Sequence, residues 1–517
     1  MSSQLLKKKS IDHLLAEAEA PGHQLRKSLG PWSLTALGIG AIIGTGIFIL
    51  TGTAAAGEAL QFHSILKAPL LGVLLHGSHA VGTAGRPGAG PSIALSFLLV
   101  AIACALAGLC YAELASMIPI AGSAYTYTYA TLGEIVAWII GWDLILEYAV
   151  SNMAVAVGFS AYVDSLLQGF GLKLPQQLMN PLLNDSLHRT GAWFNLPGFL
   201  IVMFLTVLLV IGIRESAGAN NLLVSIKIIA IFIFITAAAR YIHVSNWKPF
   251  MPNGWQGVLT GGAIVFFTYI GFDSVSTAAE ECKNPRRDVP FGIIASLIVC
   301  AVLYISVALV LTGIQHWDTL RNAAPVANAL VAIGLPRVKQ WVTVGALMGM
   351  ISSLLVFQLG QARVWFAMSR DGLLPRVFSS VHARFRTPHV STWVAGFFVA
   401  IPAGIFDIGT LADLSNIGTL FAFVLVSLGV LVLRRTQPER RRGFRTPAVP
   451  AVPILSILCC MVLMASLPVE TWLRFVVWLI VGLVIYFVYS QHHSEFGRDP
   501  HVVLAPPEAV TSHRETT

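Results

Sequence analysis

Four charged side chains sit within or beside long apolar stretches of this 517-residue chain. Asp143 and Glu147 lie in about 135–163, Lys227 in about 218–239, and Asp273 directly after 249–272. Carboxylates and an amine in such places can exchange protons, pair with an oppositely charged group or hold backbone in an unusual path. A charge at membrane depth costs about 2.5–3.5 kcal/mol on insertion scales, so each is a functional candidate by default. Two glycine-bearing segments accompany them: Leu37-Gly-Ile-Gly-Ala-Ile-Ile-Gly-Thr-Gly-Ile-Phe48, and Gly261-Gly-Ala-Ile-Val-Phe-Phe-Thr-Tyr-Ile-Gly-Phe-Asp273. Glycine weakens a helix by about 1 kcal/mol relative to alanine, so glycines at 38, 40, 44 and 46 invite local unwinding.

The elements that position these residues follow from charge. Only 11% of the chain is charged and 56% is hydrophobic, against about 25% charged in a soluble domain. Ten strongly apolar stretches of twenty residues or more carry no Asp, Glu, Lys or Arg: 28–57, 87–112, 190–213, 249–272, 289–317, 340–362, 387–406, 414–433, 446–469 and 475–494. Twenty helical residues span about 30 Å, the thickness of a hydrocarbon core. Continuous rather than alternating apolarity reads as helices, not barrel strands. Adding 135–163 and 218–239 gives twelve spans, an all-α polytopic membrane protein.

Twelve spans place both termini on one side. That side carries 21 loop Lys and Arg, counted from the amino terminus, 214, 283–287, 370–386, 434–445 and the tail; the other carries ten. The positive-inside rule makes the richer side cytoplasmic. The net charge of +8 then reads as orientation and contact with anionic lipid heads, and no nucleic-acid partner is expected. Lys7–Lys9 are followed by Asp12, Glu17 and Glu19 rather than an apolar run, so no signal peptide is expected. Residues 1–30 are expected to form a polar cytoplasmic arm with a short amphipathic helix at 3–19, and 493–517 a cytoplasmic tail that reads as disordered after 495. The six cysteines lie in or beside spans and fit neither a disulfide framework nor a zinc site. His76 and His79 lack a companion ligand, so no metal and no cofactor are expected. The sequon Asn184-Asp185-Ser186 matters only in a eukaryotic secretory pathway.

The first and sixth spans are both interrupted. They correspond if spans 1–5 and 6–10 are inverted repeats, and broken spans at matching places point to a transporter's binding site. Gly40-x-x-x-Gly44 also fits a helix-packing motif. A dinucleotide fingerprint fails, because no strand precedes the glycines and their spacing is wrong.

Five ordered blocks resemble the amino acid–polyamine–organocation (APC) superfamily, and within it the bacterial relatives of the cationic amino acid transporters. They are Leu34–Phe48, Tyr111–Ala115 with Ala121–Tyr125, Phe267–Asp273, Glu280–Pro290 and Ala367–Pro375. The likeness covers about 26–490; the long 56–90 connection departs from it. The resemblance implies a LeuT-type fold: a 5+5 inverted repeat with helices 1 and 6 unwound, plus two C-terminal helices. The expected divisions are 31–243 for helices 1–5, 257–433 for helices 6–10 and 449–492 for helices 11–12.

For function, the resemblance implies a secondary amino acid transporter, with proton-coupled uptake of α-amino acids by alternating access. An amino acid or polyamine exchanger on the same fold is the alternative. Unwound helix ends offer N–H groups to a carboxylate and carbonyls to an ammonium. Motif matching places the carboxylate-binding backbone at Ile42, Thr45 and Gly46, and the ammonium-binding carbonyls at Ile42, Phe267 and Ile270. Lys227, in Asn220-Asn-Leu-Leu-Val-Ser-Ile-Lys227, resembles the helix-five lysine that stands where sodium-coupled members bind an ion. Burial disfavours a lysine's charged form, so Lys227 is the proton-switch candidate, with snorkelling or pairing as its plainer reading.

Glu147 and Asp273 are expected near the substrate, assisting a cationic side chain or holding helix six; a structural hydrogen-bond network is the other reading. Arg363 and Glu113 fit interfacial or gating contacts. Phe357 matches a pocket-wall position, where its bulk favours small-to-medium neutral amino acids over arginine. A transport-dead receptor lacks a signalling domain here. An enzyme lacks any His-Glu-x-x-His, Walker or Gly-x-Ser-x-Gly constellation. A small single-span membrane partner stays an open alternative.

Overall fold

The computed structural model describes residues 5–12, 14–15, 29–58, 65–77, 85–120, 122–184, 188–211, 217–385 and 387–494. His79, two sequon residues (Asp185 and Ser186), most of the amino-terminal arm and the tail from 495 lie outside the described residues. Every expected span has a helix. They are α1 (Pro31–Ile42, resuming as Gly46–Ala56), α2 (Gly90–Met117), α3 (Glu134–Gly169), α4 (Leu196–Ile211), α5 (Ala217–Ala238) and α6 (Gly254–Thr277). Then come α7 (Pro285–Ile314), α8 (Pro336–Arg370), α9 (His389–Ala403), α10 (Ile408–Thr436), α11 (Ala451–Ala465) and α12 (Val469–His493). Among the described residues, eight helices are long and apolar enough to cross a membrane. The bent α1 pair makes a ninth, and α4, α9 and α11 are shorter apolar helices.

Packing follows a five-helix offset. Helix α2 packs on α7, α3 on α8 and α4 on α9; the α5–α8 contact is mirrored by α10 on α3. The outer faces of α5 and α12 stay apolar and exposed, as with Phe232 and Val477. That is the expected surface of a helix bathed in lipid.

Each face of the bundle is tied by ion pairs. On the face of the amino-terminal arm, Lys9 reaches Asp371 at 2.8 Å and Tyr125 donates to the same carboxylate at 2.5 Å. Glu113 accepts from Arg434 at 2.8 Å and Arg442 at 2.9 Å. On the opposite face the long connection closes as a hairpin, Gly57 pairing with Pro87 and Glu58 with Arg86. Arg86 grips Asp413 of α10 at 3.0 and 2.6 Å and Glu58 at 2.7 Å. Burial opposes charge on Arg86, but its two carboxylate partners outweigh that and raise its pKa.

Candidate functional site

The glycine segments do break their helices, and the breaks meet. α1 stops at Ile42; Ile43 is extended, with φ −81° and ψ 91°. The Gly44 N–H turns back to Ile42 O at 3.0 Å, and no such bond crosses the break from Thr45 or Gly46. The chain resumes as a π-turn over Gly46–Leu50, and the halves differ by 43°. α6 tightens into a 3₁₀ turn over Phe266–Tyr269, passes an extended Ile270 and turns at Gly271, whose φ is +114°. That value lies where a side chain is strained. A Cβ on Gly46 would lie 2.5 Å from Thr268 Cγ2 and 2.9 Å from Thr268 Cα. Gly46 therefore lets the two breaks touch.

Of the expected substrate residues, Ile42, Thr45, Gly46, Phe267 and Ile270 all lie in or beside these breaks and all are buried. Thr45 bonds the Val155 carbonyl of α3 at 3.3 Å. Phe357 of α8 is buried, with its ring 6.2 Å from that of Tyr148 on α3. Asp273 Oδ2 accepts from Tyr148 at 2.8 Å, so Phe357 and Asp273 flank one tyrosine.

Lys227 of α5 neither snorkels nor meets an acid. It is fully buried and donates to Gly40 O at 2.7 Å, Ile43 O at 2.9 Å and Ser352 Oγ at 3.2 Å. An ammonium has three N–H groups, and three acceptors surround it. Ser352 and Ser353 of α8 also reach Gly40 O, each at 3.1 Å, and Ser353 lies 3.3 Å from Ile43 O. The break in α1 is thus held from α5 and α8 through its own carbonyls.

Two further groups were not singled out from sequence. Tyr304 of α7 places its hydroxyl 2.9 Å from both Ile42 O and Thr268 O, bridging the two breaks. Ser352 and Ser353 complete the Lys227 cage. Glu147, beside Asp143 on α3, is buried; neither carboxylate has a hydrogen-bond partner, and the Tyr111 and Tyr127 hydroxyls are likewise unbonded. Unpaired buried polar groups are costly.

Arg363 pairs with Glu281 at 2.7 Å on the arm face. It caps a small cavity of about 60 Å³ lined by Ser33, Leu37, Ser274 and Gly360. On the opposite face, cavities of about 530 and 240 Å³ lead inward. No group of three or more His, Cys, Asp or Glu side chains that could hold a metal ion occurs among the described residues.

The sequence matches the amino acid permease family over residues 29–489. It is 46% identical to the branched-chain amino acid permease BcaP of Bacillus subtilis, covering 96% of this chain and 100% of that protein. It is 45% identical to the methylthioribose transporter of the same organism, over 95% and 99%. It is also 32% identical to cationic amino acid transporter 9, chloroplastic, of Arabidopsis thaliana, over 92% and 90%. Such relatives are carriers rather than enzymes, and their LeuT-type fold is the one whose broken helices are seen here. The chain is an integral membrane protein that belongs to the amino acid permease family of the APC superfamily.

Proposed function

We propose that the protein imports branched-chain and other neutral α-amino acids by proton symport across a bacterial plasma membrane. The observation that carries this reading is Lys227, a buried amine closed on the two carbonyls that bound the α1 break. The α-carboxylate is taken by backbone N–H groups at Thr45 and Gly46, where the outer half of α1 begins. The ammonium is taken by the carbonyls of Ile42, Phe267 and Ile270. Ile42 O already accepts the Gly44 N–H, and the single Tyr304 hydroxyl proton can turn to Thr268 O at the same 2.9 Å, which frees the second lone pair of Ile42 O for the substrate. Phe357 limits side-chain length, with Glu147 and Asp273 as the supporting network near Tyr148. The branched-chain substrate named for the 46%-identical relative agrees with that apolar wall.

Coupling follows from counting donors. With its proton, Lys227 supplies three N–H groups and pins the inner half of α1 to α5 and α8. Without it, two N–H groups and no charge remain, so that half is held less tightly and can swing toward the side of the amino-terminal arm. That side is read as cytoplasmic from the Lys and Arg asymmetry, with arms 1–30 and 493–517 there. Segments 31–243 and 257–433 are the two inverted repeats and 449–492 an appended pair; lipids contact the basic loops.

Proteoliposome uptake with an imposed pH or sodium gradient tests the reading. Leucine accumulation driven by protons supports it. Movement of label only with substrate on the far side identifies an exchanger instead. The methylthioribose transporter at 45% identity makes that thiosugar the second substrate to assay, and its accumulation in place of leucine would replace the amino acid reading.

A further inference from the structure

The break in α6 has a clamp of its own. The last α-type bond of its first half runs from the Phe266 N–H to Gly262 O, after which the chain tightens into the 3₁₀ turn. The next carbonyl along, Ala263 O, accepts from the Asn416 side-chain amide of α10 at 2.8 Å. Only the Nδ2 end of an amide can donate to a carbonyl, so this bond fixes which way the side chain faces. Asn416 is fully buried. Two turns further along α10, the Phe423 ring packs against Phe266 at 5.8 Å and Phe272 at 4.9 Å. Those two phenylalanines bracket Phe267, Ile270 and Gly271, so α10 splints the α6 break from both ends. α10 is itself fixed on α3, where Ser415 and Ser151 share a 2.6 Å hydrogen bond.

The same register appears at the α1 break. Lys227 of α5 holds Gly40 O, two residues before Ile42, where the first half of α1 ends. Asn416 of α10 holds Ala263 O, two residues before Val265, where the first half of α6 ends. The five-helix offset in packing makes α5 and α10 counterparts. One break is therefore held by an amine that can give up a proton, and the other by an amide that has no ionisable proton.

We propose that Asn416 is a positioning residue for the ammonium end of the substrate. It holds the first half of α6 in register and thereby sets the Phe267 and Ile270 carbonyls that follow. Proton release at Lys227 loosens α1, while the amide clamp keeps α6 aligned. The inference rests on the amino acid reading above.

Equilibrium binding of radiolabelled leucine to the purified full-length protein in detergent tests it, with two competitors that each keep one charged end. Leucinamide keeps the ammonium, and N-acetyl-leucine keeps the carboxylate. Asn416→Leu, close in size but without a donor, should weaken leucine and leucinamide about tenfold each, the scale of one hydrogen bond. It should leave N-acetyl-leucine unchanged. Asn416→Ser, with a shorter side chain, should give the same one-ended loss and serves if N416L does not fold. Wild-type leucine affinity in a folded N416L or N416S, or an equal loss for all three ligands, overturns the positioning role while leaving the amino acid reading intact. Wild-type protein that binds no leucine overturns both.

Discussion

Replacing Lys227 by Met isolates the coupling step. Methionine keeps an unbranched apolar side chain but removes three N–H donors and the charge. The carbonyls left behind are not abandoned: Ser352 Oγ lies 3.1 Å from Gly40 O, and Ser353 Oγ lies 3.1 and 3.3 Å from Gly40 O and Ile43 O. Two hydroxyl protons remain for two carbonyls, so the cost to stability stays near about 1–3 kcal/mol, that of losing hydrogen bonds to a charged group. The protein should fold. The functional loss is larger. With one proton per substrate, a two-unit pH gradient stores about 2.7 kcal/mol, enough for about 100-fold accumulation. In proteoliposomes the wild type should accumulate leucine toward that limit. K227M should only equilibrate it, near onefold, while still exchanging internal for external label in counterflow. Wild-type-like accumulation by K227M under the same gradient would refute the assignment of Lys227 as the proton carrier.

Other substitutions test other contacts. Gly46→Ala places a methyl group 2.5 Å from Thr268 Cγ2 and 2.9 Å from its backbone, so initial uptake should fall at least about 100-fold at equal protein level. Phe357→Ser removes the ring that packs near Tyr148; competition by arginine against labelled leucine should strengthen about tenfold, the scale of a few methylenes of pocket. Asp371 bears on stability and pH. Burial pushes its carboxyl up, but Lys9, Arg370 and the Tyr125 hydroxyl outweigh that and hold it below the ordinary value. A group held low in the folded state stabilises fully above its unfolded pKa of about 4 and loses that contribution as pH falls through the folded value. Asp371→Asn should lower stability at pH 7 by about 3 kcal/mol by leaving Lys9 without its buried partner. Thermal unfolding in detergent should show less acid dependence below about pH 4 than in the wild type.

Much of the fold could be read from the chain because lipid imposes a one-dimensional rule. A span must be long and nearly uncharged, and each of the twelve segments found that way became a helix. Glycines at 38, 40, 44 and 46 marked the α1 break, since weak helix propensity is a local property. Lys227 stood out as the one charge in its span. The partners of these groups were harder. Tyr304, Ser352 and Ser353 are ordinary residues for a membrane helix, and only the approach of α7 and α8 to the α1 carbonyls gives them a role. The Glu58–Arg86 ladder and the Lys9–Asp371 pair join residues 28 and 362 positions apart. No local pattern encodes such contacts. Glu147 was visible as a misplaced charge, yet its lack of a hydrogen bond is a fact of packing alone.

The central claim is that the backbone of the two breaks recognises both ends of an α-amino acid. Competition against gradient-driven leucine uptake in proteoliposomes tests it most directly. Isoleucine and valine should compete, whereas leucinamide, lacking the carboxylate, and N-acetyl-leucine, lacking the ammonium, should each compete at least about 100-fold more weakly, the loss of at least one charge-assisted contact in a desolvated site. Equal competition by either blocked derivative would contradict the account.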